Sequence, residues 1–324
     1  MIIPLYDTSA NEIADKLIEI RRQGGVVALS RVLTLLVPVG TEAAEQAIKA
    51  ANEASMEHPC RVIVLLERDP NGRSTLDAEI RIGGDAGASE VVVLRLSGSL
   101  TNQEAGLVVP LLLPDVPVVT WWPDEVPDCP AATPLGAVAV HRVTDSWSAP
   151  EGPDECLARL RAGYSSGDTD MAWTRLTWWR AHLAAHLGQA PADPVTSVTL
   201  AGAPDDPSCK LLAAWLAWKL RCPATFHPVD GADTLTRVEL VRPSGVTVID
   251  RPIGSTEATM SAPGAADQRF RLGPRSLTDC LSEELRRLDE DVVYDEVIHN
   301  GLDWLAGPGR FTVTDDATDS PSRK

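Results

Sequence analysis

His182 and His186 stand four residues apart in a helical pattern, the spacing at which two imidazoles can share one metal ion. The rest of such a site is missing. No Glu follows His182 to complete HExxH, and no Cys or acidic third ligand stands nearby in sequence, so helix histidines that face solvent or a hydrogen-bond partner are expected. GGDAGAS (Gly83 to Ser89) invites a phosphate-loop reading, but a phosphate loop opens a helix, and this cluster is followed directly by the strand pattern SEVVVLRL. A turn or bulge between strands is expected there. Asp168 and Asp170 read as residues of a helix N-terminus rather than as acid catalysts. The sequence has no Walker motif, kinase motif set or paired-carboxylate motif. A triad is defined by geometry and not by sequence order, so this absence is partial support for a chain with no catalytic residue, no cofactor and no metal.

Two further residue types could act without catalysis. Six cysteines (Cys60, Cys129, Cys156, Cys209, Cys222, Cys280) are scattered, with no CxxC pair, which fits reduced thiols in a reducing, cytoplasmic compartment. Nine tryptophans against three tyrosines and three phenylalanines is an unusual balance, with doublets at Trp121, Trp122 and at Trp178, Trp179. Tryptophan buries a large area and keeps an N–H donor, so Trp121, Trp122 and Trp178 are the candidate partner-interface residues. Trp121 and Trp122 are neighbours on a predicted strand and point to opposite faces, so one is expected in the core and the other exposed or covered by a loop.

The elements that must position these residues follow from periodicity. NEIADKLIEIRRQGG carries Ile13, Leu17 and Ile20 on one face and predicts an amphipathic helix stopped at Gly24 and Gly25. VVALSRVLTLLVPV, TEAAEQAIKAANEASMEH and CRVIVLLE read as strand, helix and strand, the order of a right-handed crossover in a parallel sheet. LDAEIRIGG predicts an edge or antiparallel strand, TNQEAGLVVPLLL a helix, and PVVTWW a buried strand ended by Pro123. AVAVHRVTDSW predicts the last strand of this half.

Beyond it, GDTDMAWTRLTWWRAHLAAHLG predicts one long helix capped by Asp168 or Thr169, with Ala172, Leu176, Trp179, Leu183 and Leu187 as its core stripe. A strand–helix–strand unit, a β-meander and a last helix from Ser276 complete the second half. The fold class expected is α/β in two domains, each a mostly parallel or mixed sheet flanked by helices. The expected domains are 1–150 and 151–306, with 307–324 a disordered tail.

The size of 324 residues fits two cores, and 44% hydrophobic with 23% charged residues fits a folded chain. A net charge of −17 repels phosphate backbones and anionic lipid, so neither nucleic acid nor a membrane is an expected partner. The apolar run Leu107 to Trp122 is interrupted by Pro110, Pro114, Asp115 and Pro117 and is too short to span a bilayer.

RVLTLLV, EASMEHPCRVIVLL, GGDAGASEVVVLRLSGSL, VVPLLLPDVPVVTWWP and GDTDMAWTRLTWWRAHLAA together resemble the OpcA family of bacterial glucose-6-phosphate dehydrogenase assembly proteins, over about 300 residues in both halves. The resemblance implies a non-enzymatic, allosteric partner that promotes assembly or activation of glucose-6-phosphate dehydrogenase in the oxidative pentose phosphate pathway. It also implies thiol-based redox control for some photosynthetic members. No reactive cysteine pair maps onto this sequence, and Cys60 reads as a buried structural thiol. The alternative is a small-molecule sensor or enzyme with its site at the C-terminal edge of an α/β sheet.

Overall fold

The structure, a computed structural model, describes residues 1–23, 32–82, 90–189 and 193–314. The expected glycine turns at Gly24–Gly25 and at Gly83 to Ser89 lie outside the described residues, as does the tail from 315. The first half runs β1 (Ile2–Leu5), α1 (Ala10–Gln23), β2 (Leu33–Pro38), α2 (Ala44–Ala54), β3 (Cys60–Asp69), β4 (Thr75–Ile82), β5 (Glu90–Ser97), α3 (Glu104–Val108), β6 (Val118–Trp121) and β7 (His141–Thr144). It continues with α4 (Pro153–Gly163), β8 (Asp168–Asp170), α5 (Met171–Arg175), α6 (Thr177–Gln189), β9 (Ser197–Gly202), α7 (Pro207–Leu220) and β10 (Ala224–Pro228). The remainder is β11 (Arg237–Arg242), β12 (Gly245–Asp250), β13 (Glu257–Ser261), β14 (Gln268–Arg271), α8 (Leu277–Arg286), α9 (Val292–Glu296), α10 (Leu302–Leu305) and β15 (Phe311–Val313). The protein is a mixed α/β chain with two sheets flanked by helices. It divides into two compact units. One comprises Met1–Pro150, Ala162–Met171 and Ser276–Glu290, the other Glu151–Arg161, Ala172–Arg275 and Asp291–Lys324.

The first unit holds an eight-stranded sheet in the order β1-β4-β5-β3-β2-β6-β7-β8. From β5 to β8 every pairing is parallel, and β4 and β1 add an antiparallel edge. The apolar run Val62–Leu66 in β3 has no polar alternation because both faces are covered. On one face Val62, Val64, Val93, Val119 and Trp121 pack with α2 and with Cys280 and Leu281 of α8. On the other, Leu36, Ile63, Leu65, Leu94 and Trp122 pack with Ile13 and Leu17 of α1. Each such aliphatic side chain contributes about 1.5–3 kcal/mol by leaving water.

The expected long helix from Asp168 does not begin there. Asp168–Asp170 is instead β8, paired with β7 at Arg142, Val143 and Thr144. The cause is tertiary. Asp170, fully buried, accepts from Thr144 Oγ1 at 2.6 Å and from the Ser146 N–H and hydroxyl at 3.0 and 2.7 Å. Asp168 accepts from Arg142 Nε and from Ser165 N at 2.8 Å. These bonds outweigh the low strand propensity of Asp.

The second unit holds a seven-stranded sheet, β14-β13-β12-β11-β9-β10-β15. Here β9, β10 and β15 are parallel, and β11 to β14 form the expected antiparallel meander. Helix α7 starts at an Asp206 cap, whose carboxylate accepts from Ser208 N at 2.8 Å with Pro207 following, and stops at Arg221 in the left-handed region. Its apolar residues surround it because it is buried. The helix expected from Ser276 is broken into α8, α9, a π turn over Val297–Gly301 and α10, with Asp291 capping α9. Residues 311–313, assigned from sequence to the tail, pair with β10.

Candidate functional site

From β2 the first sheet grows through β3 and β5 on one side and through β6, β7 and β8 on the other. The reversal lies between β2 and β6, and ligands of open α/β sheets bind in the crevice at the carboxyl ends of such strands. A cleft of about 720 Å³ opens there. Its walls include Pro38 at the end of β2, Val39 and Gly40 after it, Leu65, Glu67 and Arg68 of β3, Glu104 of α3, Trp122 after β6, and the loop residues Glu125, Val126, Pro127, Thr133, Pro134 and Leu135.

The electrostatics of this cleft oppose a phosphate. In a dinucleotide-binding sheet the first strand-to-helix turn offers its backbone N–H groups to a pyrophosphate. Here the Gly40 N–H donates to the chain's own Asp124 carboxylate at 2.8 Å. Gly40 is needed for that approach, because a Cβ at this position would meet Asp124 Oδ2 at 2.8 Å. Burial, with the negative charges of Glu67 and Glu125 beside it, pushes the Glu104 carboxyl up to about 6. The cleft thus carries Glu67, Glu104 and Glu125 against one cation, Arg68, which also pairs with Asp77 at 3.4 Å. It suits a cationic or neutral group.

Trp121 and Trp122 are divided between the two faces of the first sheet. Trp121 is 0% exposed in one core, and Trp122, expected to be exposed or covered by a loop, is instead 6% exposed in the core on the other face, where it also walls the cleft. Trp178 is 53% exposed on α6 of the second unit, with the Arg275 guanidinium 5.9 Å from its ring. His182 stacks on Phe270 with ring centroids 3.9 Å apart, and His186 Nε2 lies 3.1 Å from Thr247 Oγ1. Burial pulls both histidines below the usual value. Among the described residues no group of three or more His, Cys, Asp or Glu is placed to hold a metal, and no helix is long and apolar enough to cross a membrane. The six cysteines are free thiols, five of them buried, Cys60 included, and burial pushes Cys222 up to about 11.

Sequence reasoning pointed to the strand end at Trp121–Trp122 but missed the carboxylates around it. Glu67, Glu104, Asp124 and Glu125 come from three separate segments and share no motif. The one available signal was the acidic, proline-rich loop after Trp122, PDEVPDCP.

Two family models match the chain. Residues 51–162 match the N-terminal domain, and residues 166–298 the C-terminal domain, of the family described as glucose-6-phosphate dehydrogenase subunit, the two halves of the OpcA assembly family. No curated protein matches the chain. Similar solved structures include glucose-6-phosphate 1-dehydrogenase from Mycobacterium avium, with a TM-score of 0.39 and 14% identity over 88% of this chain and 94% of that one. An NAD binding oxidoreductase from Klebsiella pneumoniae has a TM-score of 0.32 and 10% identity over 86% and 90% of the two chains. Both scores are low, and neither likeness bears on activity.

Proposed function

The chain belongs to the OpcA family of glucose-6-phosphate dehydrogenase assembly proteins, and on that basis we propose that it is a non-enzymatic effector that binds glucose-6-phosphate dehydrogenase and shifts its assembly or conformational equilibrium. The observation that carries this reading is the match of both halves of the chain to the two domains of that family. The geometry of the first cleft supports it from the chemical side. A carboxylate of the chain fills the backbone donor of the turn where a nicotinamide dinucleotide would place its pyrophosphate.

A binding effector acts only through differential affinity: it must bind the active form of the enzyme more tightly than the inactive one. Trp178, an exposed indole beside a guanidinium, is the anchor we assign to the docking surface. Trp122 with the loop that follows it is a second contact region, and Trp121 supports it from the core. The partner is a protein in the cytoplasm, in keeping with free thiols and an acidic surface.

The test is an assay of glucose 6-phosphate oxidation with NADP. The chain alone gives no turnover, and added to purified dehydrogenase it changes the enzyme's rate. Turnover by the chain alone would overturn the reading. The volume of the first cleft favours a second reading, a small-molecule sensor with its site at this sheet edge. Saturable binding of a metabolite there, with no effect on the dehydrogenase, would select it.

A further inference from the structure

Among the described residues four arginines are buried: Arg61, Arg142, Arg242 and Arg251. Three are neutralised within the fold. Arg61 pairs with Glu90 at 3.0 Å and donates to the Leu111 carbonyl. Arg142 pairs with Asp168 and donates to the Ala139 carbonyl at 2.9 Å. Arg251 pairs with Asp233 at 2.9 Å and donates to the carbonyls of Leu235 and Ser255. Arg242 is 7% exposed, yet among the described residues its side chain makes no hydrogen bond and no ion pair, and its Nε is buried without a partner. Its terminal nitrogens open into a cavity instead, and a recessed guanidinium with no protein acceptor points to an occupant that supplies one.

The fold builds a cavity around it. Arg242 ends β11 and pairs across the hairpin with Gly245. By strand alternation it lies on the sheet face of Val238 and Leu240, where α6 sets His182 on Phe270 and His186 on Thr247. Gly245 has φ +130°, and a Cβ there would meet Pro263 at 2.6 Å, so the two hairpin ends approach closely and wall the space. The cavity measures about 420 Å³, with Ser244 and Gln268 as neutral polar walls and Met260, Pro263 and Ala265 among the apolar ones. Among the described residues its lining includes no carboxylate. One carboxylate that feels the charge of Arg242 is Asp193. It is held by the Ser244 N–H at 3.0 Å and forms no ion pair with Arg242. Burial and the charge of Arg242 pull His186 below its usual value, and the guanidinium is the fixed charge of the cavity.

We infer that this cavity is a binding site for a small oxyanion-bearing metabolite, a carboxylate or a phosphate monoester, held on the Arg242 guanidinium. The planar fork of donors on Arg matches both anions in bidentate geometry. The cavity volume fits a metabolite and not a folded partner. The net charge of −17 keeps extended polyanions away and leaves a short anion as the ligand that can reach a single recessed cation.

The experiment uses the full chain alone, so its outcome is independent of any effect on the dehydrogenase. Inorganic phosphate and citrate are each titrated by calorimetry at constant ionic strength set with sodium chloride. The expected result is saturable binding of at least one, weakened at least ~10-fold by Arg242→Met and by Ala265→Glu, which places a carboxylate at the exposed rim and leaves Arg242 intact. If Arg242→Met does not fold, the rim variant decides. Phosphate binding alone identifies a phosphate monoester, citrate binding alone a carboxylate, and both together the shared oxyanion chemistry. Absence of saturable binding up to about 10 mM of either probe overturns the inference. Binding that survives both substitutions unchanged also overturns it, because the anion then sits elsewhere.

Discussion

Two cavities of this protein differ in how far the fold has satisfied its own polar groups. At the carboxyl edge of the first sheet, where open α/β sheets in general receive ligands, Asp124 occupies the Gly40 N–H and three glutamates line the walls. On the second sheet, a cavity with no carboxylate in its lining surrounds a buried guanidinium left unpaired among the described residues. A strand-order reversal places a crevice, but the charges in it decide what can enter. Here carboxylates line the strand-order reversal, and the unpaired guanidinium stands at a hairpin end that topology alone would not single out.

The largest effect that tests this contrast concerns the wall of the first cleft. Trp121→Ala removes a fully buried indole and is expected to cost about 3–5 kcal/mol, read as a large fall in melting temperature. Trp122→Ala, at a core residue that also borders the cleft, is expected to cost less than Trp121→Ala, because the cleft leaves part of its ring without packed neighbours. Equal losses would show that the cleft wall is ordinary core.

The contrast sharpens with a pair of arginine variants measured by denaturant unfolding. Arg142→Met strands the buried Asp168 carboxylate and is expected to destabilise by about 3–5 kcal/mol. Arg242→Met breaks no ion pair, removes only the longer-range charge that Asp193 feels, and is expected to lie within about 1 kcal/mol of the parent chain, or to be more stable. A loss from Arg242→Met as large as that from Arg142→Met would mean that the guanidinium is already neutralised within the fold.

Much of this organisation was legible in the sequence. The continuous apolar run of β3 announced a strand covered on both faces, and the Trp121–Trp122 doublet announced opposite faces. The Asp168–Thr169–Asp170 segment was misread, because its strand identity comes from Arg142, Thr144 and Ser146, more than twenty residues away, and not from local propensity. The break after α8 is likewise tertiary, with Asp291 both capping α9 and accepting from Trp173 Nε1 at 2.8 Å. Arg242 was invisible for a different reason. Arg-Pro-Ser-Gly reads as a hairpin turn, and only the packing of α6 and two hairpin ends shows that the side chain is buried without a partner.

A smaller effect follows from Glu104, whose carboxyl is raised from 4.5 to about 6. A raised folded-state value means that stability is fully present below 4.5 and is lost as pH rises through about 6, where the folded chain must ionise a crowded carboxyl. Partial exposure screens the effect, so Glu104→Gln is expected to gain only about 1 kcal/mol over the parent at pH 8, with the gain vanishing below 4.5. A gain independent of pH would contradict the electrostatic origin.

The proposal that this chain acts by binding and not by turnover is tested most directly by light scattering of purified glucose-6-phosphate dehydrogenase with and without the 34.7 kDa chain, with activity recorded on the same samples. A complex heavier than either component, accompanied by a changed rate, is the predicted result, and Trp178→Ala should weaken it by about 2 kcal/mol or more while leaving the chain folded. An unchanged mass and an unchanged rate at saturating excess of the chain would contradict it.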